Sequence, residues 1–182
     1  MTPDLHKDVV TREGRRFRLR PVGFDDAPSL ADMALHSTAE DLRLRFFTRV
    51  RPDLGPMAET LAHVDPLHHI AAAAYDPEEG HGDKEFYGVV RLVCPDDGPE
   101  AEFAVMVRSD VKGHGLGYCL MQEMLGWARD LGLRRVIGYV MSENQGMLHM
   151  SRDLGATSHR MRDDQMTLEV TFDLDAPAVN PT

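Results

Sequence analysis

The sequence predicts a mixed α/β (α+β) fold, a mostly antiparallel sheet flanked by helices rather than a doubly wound parallel one. Three observations lead there. The order of patterns is strand, helices, several strands, then strand-helix-strand-helix and a closing strand. The middle strands are separated by short polar runs rich in Gly and Pro, which suit hairpins rather than crossovers. One glycine-rich junction, at residues 112–117, joins an aliphatic strand to a strongly amphipathic helix.

Taken in order, Arg16-Phe17-Arg18-Leu19-Arg20-Pro21-Val22 alternates with a period of two and ends beside a proline, as an opening strand does. Asp25 or Asp26 caps the next helix, with Pro28 in its first turn and Leu30, Met33, Ala34 and Ser37 at helical spacing. Ala39 to Phe47 reads as a second helix. Turn residues at 51–56 break the chain before a third, from Met57 to Val64. His69–Tyr75 and Glu85–Val93 read as strands around the polar run 76–83, although four successive alanines leave the first open to a helical reading. A turn at 95–99 leads into Ala101–Val107, aliphatic enough for a central strand.

From Leu116 to Leu131 the residues Leu116, Cys119, Leu120, Met124, Leu125, Trp127 and Ala128 make a broad apolar stripe, stopped by Gly132. Arg135–Met141 is the next strand, Asn144–Leu154 a helix ended by Gly155, and Met166–Phe172 the closing strand. Methionines 121, 124, 141, 147 and 150 read as core filler.

The 182 residues fit one domain, since domains commonly run about 100–200 residues. We read 1–14 as a flexible leader, 15–175 as the domain and 176–182 as a loose tail. No apolar run approaches the ~18 residues of a membrane span, and the first eight residues lack a secretory pattern, so a cytoplasmic location is expected. Cys94 and Cys119 have no zinc or redox spacing and read as reduced packing residues. The net charge of −10 argues against nucleic acid or an anionic membrane as partner, and suits a partner presenting amines.

Gly113, Gly115 and Gly117 permit positive φ and close approach of backbone amides to a ligand, and the helix that follows offers unsatisfied N–H groups. The junction is thus a candidate phosphate or pyrophosphate cradle, with Lys112 and His114 adding positive character. Glycines in a strand-to-helix turn are equally consistent with loop geometry alone. No G-x-x-x-x-G-K-[ST] is present, and the even glycine spacing does not fit the dinucleotide pattern, so nucleotide hydrolysis and hydride transfer are disfavoured. His63, Asp65, His68 and His69 are residue types that bind zinc, but their helix-to-strand placement argues against convergence, and no metal is expected.

The run Val107-Arg108-Ser109-Asp110-Val111-Lys112-Gly113-His114-Gly115-Leu116-Gly117 resembles the central motif of the GNAT superfamily of N-acetyltransferases, with Lys112 where Gln or Arg is usual. Asn144 to Ala156 resembles the family's N-x-x-A-x-x-x-Y-x-x-x-G-F element. Arg18-Leu19-Arg20-Pro21, Arg45-Phe46-Phe47 and Ala101-Glu102-Phe103-Ala104-Val105-Met106-Val107-Arg108-Ser109-Asp110 are similar to the GNAT domain of bacterial protein lysine acetyltransferases that modify acyl-CoA synthetases. The resemblance implies a GNAT fold, with a splayed strand pair holding acetyl-CoA as cosubstrate. It also implies transfer of acetyl to a protein lysine, possible acceptors including an acyl-CoA synthetase, or to a small amine.

The same resemblance implies Glu102 as general base, in a partly apolar strand environment that raises its pKa; the alternative is a solvent-facing glutamate or one paired to Arg91 or Arg108. It further implies that the backbone at Val105, Met106 and Val107 binds the pantetheine arm, and that Lys112, Gly113, His114, Gly115, Leu116, Gly117 and Tyr118 form the cradle. Asn144 reads equally as a cofactor contact and as an N-cap. The family's acid tyrosine falls at Ser151, a poor acid, which keeps a noncatalytic acyl-CoA sensor as a competing reading. Arg43, Arg45, Phe46 and Phe47 either line the acceptor side or close over acetyl-CoA, or, the preferred reading, the aromatics are helix core and the arginines its solvated face.

Overall fold

Hydrophobic alternation sets the sheet. Along Arg16–Pro21 (β2), Phe17 and Leu19 are buried while their neighbours face out, and antiparallel partners extend on both sides. The computed structural model describes residues 3–48, 53–65, 67–79, 82–94 and 98–175. The expected turns at 51–56 and 95–99 lie partly, and the tail 176–182 wholly, outside these residues.

The sheet has eight strands: Lys7–Val10 (β1), β2, His69–Tyr75 (β3), Gly88–Val93 (β4), Glu100–Val107 (β5), Arg135–Met141 (β6), Thr157–Arg160 (β7) and Thr167–Asp173 (β8). Their spatial order is β1-β2-β3-β4-β5-β6-β8-β7, antiparallel throughout except between β5 and β6. The flexible leader expected over 1–14 is corrected here. β1 pairs with β2 from Lys7↔Leu19 to Val10↔Arg16, Val9 enters the core, and Arg18 Nε donates to Asp8 at 2.7 Å. Four residues with two adjacent valines are too short a run to show alternation, so no strand signal is legible there. β7 was missed for a related reason: Thr-Ser-His-Arg is exposed at every position and carries no apolar period.

Helices Ala27–Leu35 (α1), Ala39–Phe46 (α2) and Leu54–Ala62 (α3) cover one face, and Leu116–Asp130 (α4) and Gln145–Asp153 (α5) the other. The alanine run resolves as strand. Ala71 and Ala73 pack under the first helical layer, Ala72 and Ala74 under the second, and all four are buried. Helix α3 starts earlier than expected because Asp53 caps it, accepting from Gly55 N at 3.3 Å, which leaves Pro56 in the first turn, where a missing N–H costs nothing.

One feature of the sheet positions everything that follows. β5 and β6 pair only through Glu100↔Arg135, Ala101↔Val136 and Glu102↔Ile137. Beyond these, β5 continues on β4 and β6 continues on β8, so the two strands part. At the parting the Phe103 ring lies against Gly138, where an added Cβ would stand 2.3 Å from Phe103 Cε1. The same ring meets Phe172 edge to face, with centroids 5.7 Å apart. Replacing Gly138 with Ala must displace that ring, because a contact under 3 Å is impossible and both neighbours are packed. We expect Gly138→Ala to lose about 1–3 kcal/mol in urea unfolding, with unchanged far-UV circular dichroism. Wild-type stability in the variant would show that the ring is not wedged there.

Candidate active site

The parting of β5 and β6 opens a cleft of about 960 Å³, walled by α2, β5, the 112–118 junction, β6, α5 and the β7–β8 turn. Beyond Glu102, β5 has a hydrogen-bonded neighbour on one side only, so the peptide groups on its other edge face the cleft and require a ligand or water.

At the far end of β5 the chain turns into α4. Gly113 and Gly115 hold φ of 83° and 92°, a region that disfavours other residues, and Gly115 is the helix N-cap. The first α-helical bond is donated by Cys119 N to Gly115 O at 3.1 Å, and no side chain caps the end. The N–H groups of residues 116–118 are therefore left for a ligand, at the positive end of a fifteen-residue helix. Gly117 serves differently from the positive-φ role expected of it. It lies within the helix, and a Cβ there would touch Val107 Cγ2 at 3.4 Å and Met150 Sδ at 3.5 Å, so it permits close packing of α4 against β5 and α5.

The side-chain charges at this junction are already matched. Lys112 Nζ donates to Asp41 of α2, which also accepts from Ser109 Oγ. Burial alone would raise the Asp41 carboxyl; the bonds from Lys112 and Ser109 outweigh it and hold the group below its ordinary value. His114 Nδ1 meets Glu13 at 2.7 Å, outside the cleft. The local positive character expected of Lys112 and His114 is thus neutralised, which leaves the backbone dipoles at the start of α4 as the positive feature of the junction. Arg12, at the β1–β2 turn, was missed because that segment read as leader; it lies 5.2 Å from the Tyr118 ring centroid and pairs with no carboxylate among the described residues.

Of the predicted site residues, Glu102, Val105, Met106, Val107, Lys112, Gly113, Gly115, Gly117, Tyr118 and Asn144 line the cleft. Leu116 does not: its side chain is core. Asn144 caps α5, accepting from Met147 N at 3.2 Å, and also faces the cleft. Glu102 is exposed at the mouth, without the partly apolar surroundings expected of it, and makes no ion pair with Arg91 or Arg108 among the described residues. Arg108 instead binds Glu85 and Asp110, at 2.8 and 2.7 Å. Ser151 is corrected in a second way: its Oγ is buried against a separate cavity bounded by Leu148, Ala156 and Val170, so it does not face the cleft at all.

Helix α2 also departs from expectation. Arg45 is not a solvated arginine. It lines the cleft, and burial together with the neighbouring charge of Arg91 pushes its guanidinium down to about 10, opposed by Glu102. Phe47 is not core but an exposed left-handed C-cap on the cleft wall. Arg43 pairs with Glu143, in the turn after β6, at 2.8 Å. Tyr139 of β6, unremarked in the sequence, lines the opposite wall; burial, Glu169 and Glu102 push its phenol up, so it remains a proton donor at neutral pH. Among the described residues no group of three or more His, Cys, Asp and Glu side chains could hold a metal ion, and no helix is long and apolar enough to cross a membrane.

Four known proteins or families are similar to this chain. Residues 16–157 match the family model of the GNAT acetyltransferase domain. The GNAT domain of S. lividans PAT superposes with a TM-score of 0.82 at 28% identity, over 93% of this chain and 97% of that one. A point variant of a cAMP-binding acyltransferase from Mycobacterium smegmatis matches at 26% identity and TM-score 0.60 over 92% of this chain, which spans 46% of that protein's length. The fold is shared more distantly with a Vibrio cholerae spermidine N-acetyltransferase in complex with CoA and spermine, at 14% identity and TM-score 0.68, over 87% of this chain and 96% of that one.

The cradle makes a direct prediction. A Cβ on Gly115 is strained at its φ of 92° and lies 3.5 Å from Thr11 Cβ, so Gly115→Ala must turn the first amides of α4. Calorimetric titration should show CoA binding weakened about tenfold, the loss of one charge-assisted hydrogen bond or more. Unchanged affinity would place the pyrophosphate elsewhere.

Proposed function

Because this chain belongs to the GNAT acetyltransferase family, and is accordingly an acetyl-CoA-dependent acyltransferase, we propose that it transfers acetyl to a protein lysine, with Glu102 as general base. The observation that carries the proposal is the position of Glu102. It is the last residue of β5 to pair with β6, so its carboxylate stands at the mouth of the cleft whose inner end is the uncapped start of α4.

The chemistry assigned to each part is simple. Acetyl-CoA supplies an acyl thioester. Peptide N–H groups on the free edge of β5, around Val105 to Val107, hydrogen-bond the pantetheine arm and polarise the carbonyl, a small oxyanion site. The 116–118 amides hold the pyrophosphate. Glu102 takes the proton from the incoming ammonium, directly or through one water, and the free amine attacks the carbonyl carbon as the C–S bond breaks. Tyr139, across the splay and protonated at neutral pH, is one of two phenols on the cleft wall, with Tyr118, and is assigned to return a proton to the leaving thiolate.

A lysine acceptor is supported by the Arg18–Pro21, Arg45–Phe47 and Ala101–Asp110 motifs together with the match to the S. lividans domain. A small amine is the second reading, favoured by Asp153 and Asp164 on the cleft wall, which would suit a polycation. A thiol-release assay with acetyl-CoA, comparing an acyl-CoA synthetase with polyamines, separates the two. In the preferred reading the protein acceptor is turned over, and Glu102→Gln lowers kcat about 100-fold or more while acetyl-CoA affinity is retained. Full activity in the variant would remove Glu102 from the mechanism.

A further inference from the structure

The α2 side of the sheet carries a group of polar side chains that the transfer chemistry does not use. Register places them together. On one face of the three central strands, His69, Val93 and Glu102 form one cross-strand row, and Ala71, Arg91 and Ala104 form the next. Arg91 is therefore a diagonal neighbour of Glu102, one row further from the cleft mouth. Arg45 of α2 packs over the same area, close enough to feel the charges of both.

Arg91 is 93% buried by complement of its 7% exposure, yet its Nε and Nη2 have no hydrogen-bond partner among the described residues, and neither has Nδ1 of His69. This is an unusual arrangement, because buried N–H groups are almost always matched and a buried cation is ordinarily paired. Elsewhere the same protein matches its arginines closely: Arg20 with Asp26, Arg108 with Glu85 and Asp110, Arg15 with Asp76. Glu102 does not fill the role, since it makes no ion pair with Arg45 or Arg91 and turns to solvent. Burial accordingly depresses both guanidiniums, though each stays charged at neutral pH. Two unpaired cations beside one another are repulsive unless an anion joins them.

We propose that Arg45 and Arg91 form an anion subsite beside Glu102, so that the preferred acceptor carries a carboxylate close to its reacting amine, as a lysine flanked by an acidic residue does. The inference deepens the acceptor side of the proposed function and rests on that reading for the direction of approach. Arg45 lines the cleft and meets the carboxylate first. Arg91, behind it and off the cleft lining, has no competing partner for Nε and Nη2 among the described residues and reinforces the positive field that Arg45 presents. The acidic surface of the protein repels such an acceptor at long range, which confines the preference to contact distance.

The test uses the full chain with saturating acetyl-CoA and three acetylated, amidated tripeptides: Asp-Lys-Gly, Gly-Lys-Gly and Arg-Lys-Gly. The expected order of kcat/KM is acidic, neutral, basic, with the acidic peptide about tenfold above the neutral one. Arg91→Met and Arg45→Met each bring that ratio towards one. Since Met removes orphaned donors while filling the space, Arg91→Met keeps or raises Tm, which a purely structural arginine would not. Equal rates with and without the carboxylate in both the peptide series and a small-amine pair, or a preference that persists in both variants, overturn the proposal. Calorimetric binding of the peptides to CoA-saturated protein reads the same order without turnover, so absence of thiol release would sink only the transfer reading. A parallel pair, 5-aminovalerate against pentylamine, tells a small acceptor from a peptide: preference confined to that pair keeps the anion subsite and assigns it to a small amino acid.

Discussion

The constraint on which the site depends is the early end of one strand pairing. Between β5 and β6 three residue pairs form and then stop, at the point where the Phe103 ring lies over Gly138. Everything functional is placed relative to that stop. Glu102 precedes it, the unpaired edge of β5 follows it, and the turn into α4 lies at its far end. From Glu102 to Val107 is five residues, roughly 16 Å of strand at ~3.3 Å each, a span comparable to an extended pantetheine arm. The length of β5 beyond the wedge thus fixes how far apart base and cradle stand.

Helix α2 closes this arrangement from above, and its contacts explain why the cradle lacks free cations. Asp41 holds Lys112 beyond the end of β5 and Arg43 holds Glu143 beyond the end of β6, so α2 is tied to both strands of the splay. Such ion pairs contribute little stability where exposed, but Asp41 is largely buried and doubly bonded, which makes it a positional constraint. A consequence is that, in the proposed function, recognition of pyrophosphate falls to the α4 amides. Their strength does not vary with pH, whereas a lysine or histidine committed to the same task would bring its own titration.

Much of this was legible in the sequence, and the failures have physical causes. The strands β2, β4, β5, β6 and β8 and the helices α4 and α5 carry long periodic patterns, and the Gly113–Gly117 run marks the turn into α4, where Gly113 and Gly115 hold conformations that favour glycine. Short exposed strands such as β1 and β7 bury too little to leave a pattern. Site residues failed where their environment comes from distant segments. Nothing local to Glu102 says that it is exposed, nothing near Arg45 says that it lies against Arg91, and Ser151 falls in the family's tyrosine register while its helix turns it to the opposite side. Motif spacing gives position along an element; which face is buried depends on what packs there.

The arginine pair shows how such a mismatch carries information. A core is selected for satisfied donors, so an orphaned guanidinium under a helix persists only if removing it costs something other than stability. At the base of a wall that leads to the proposed acceptor site, that cost is most directly binding: the free protein retains an unfavourable contact that a correctly charged acceptor relieves. Relief of this kind discriminates by rejecting neutral and cationic acceptors as well as by attracting acidic ones. It also works at short range only, so an acidic protein can retain its solubility and still select an acidic neighbour for the amine it acetylates.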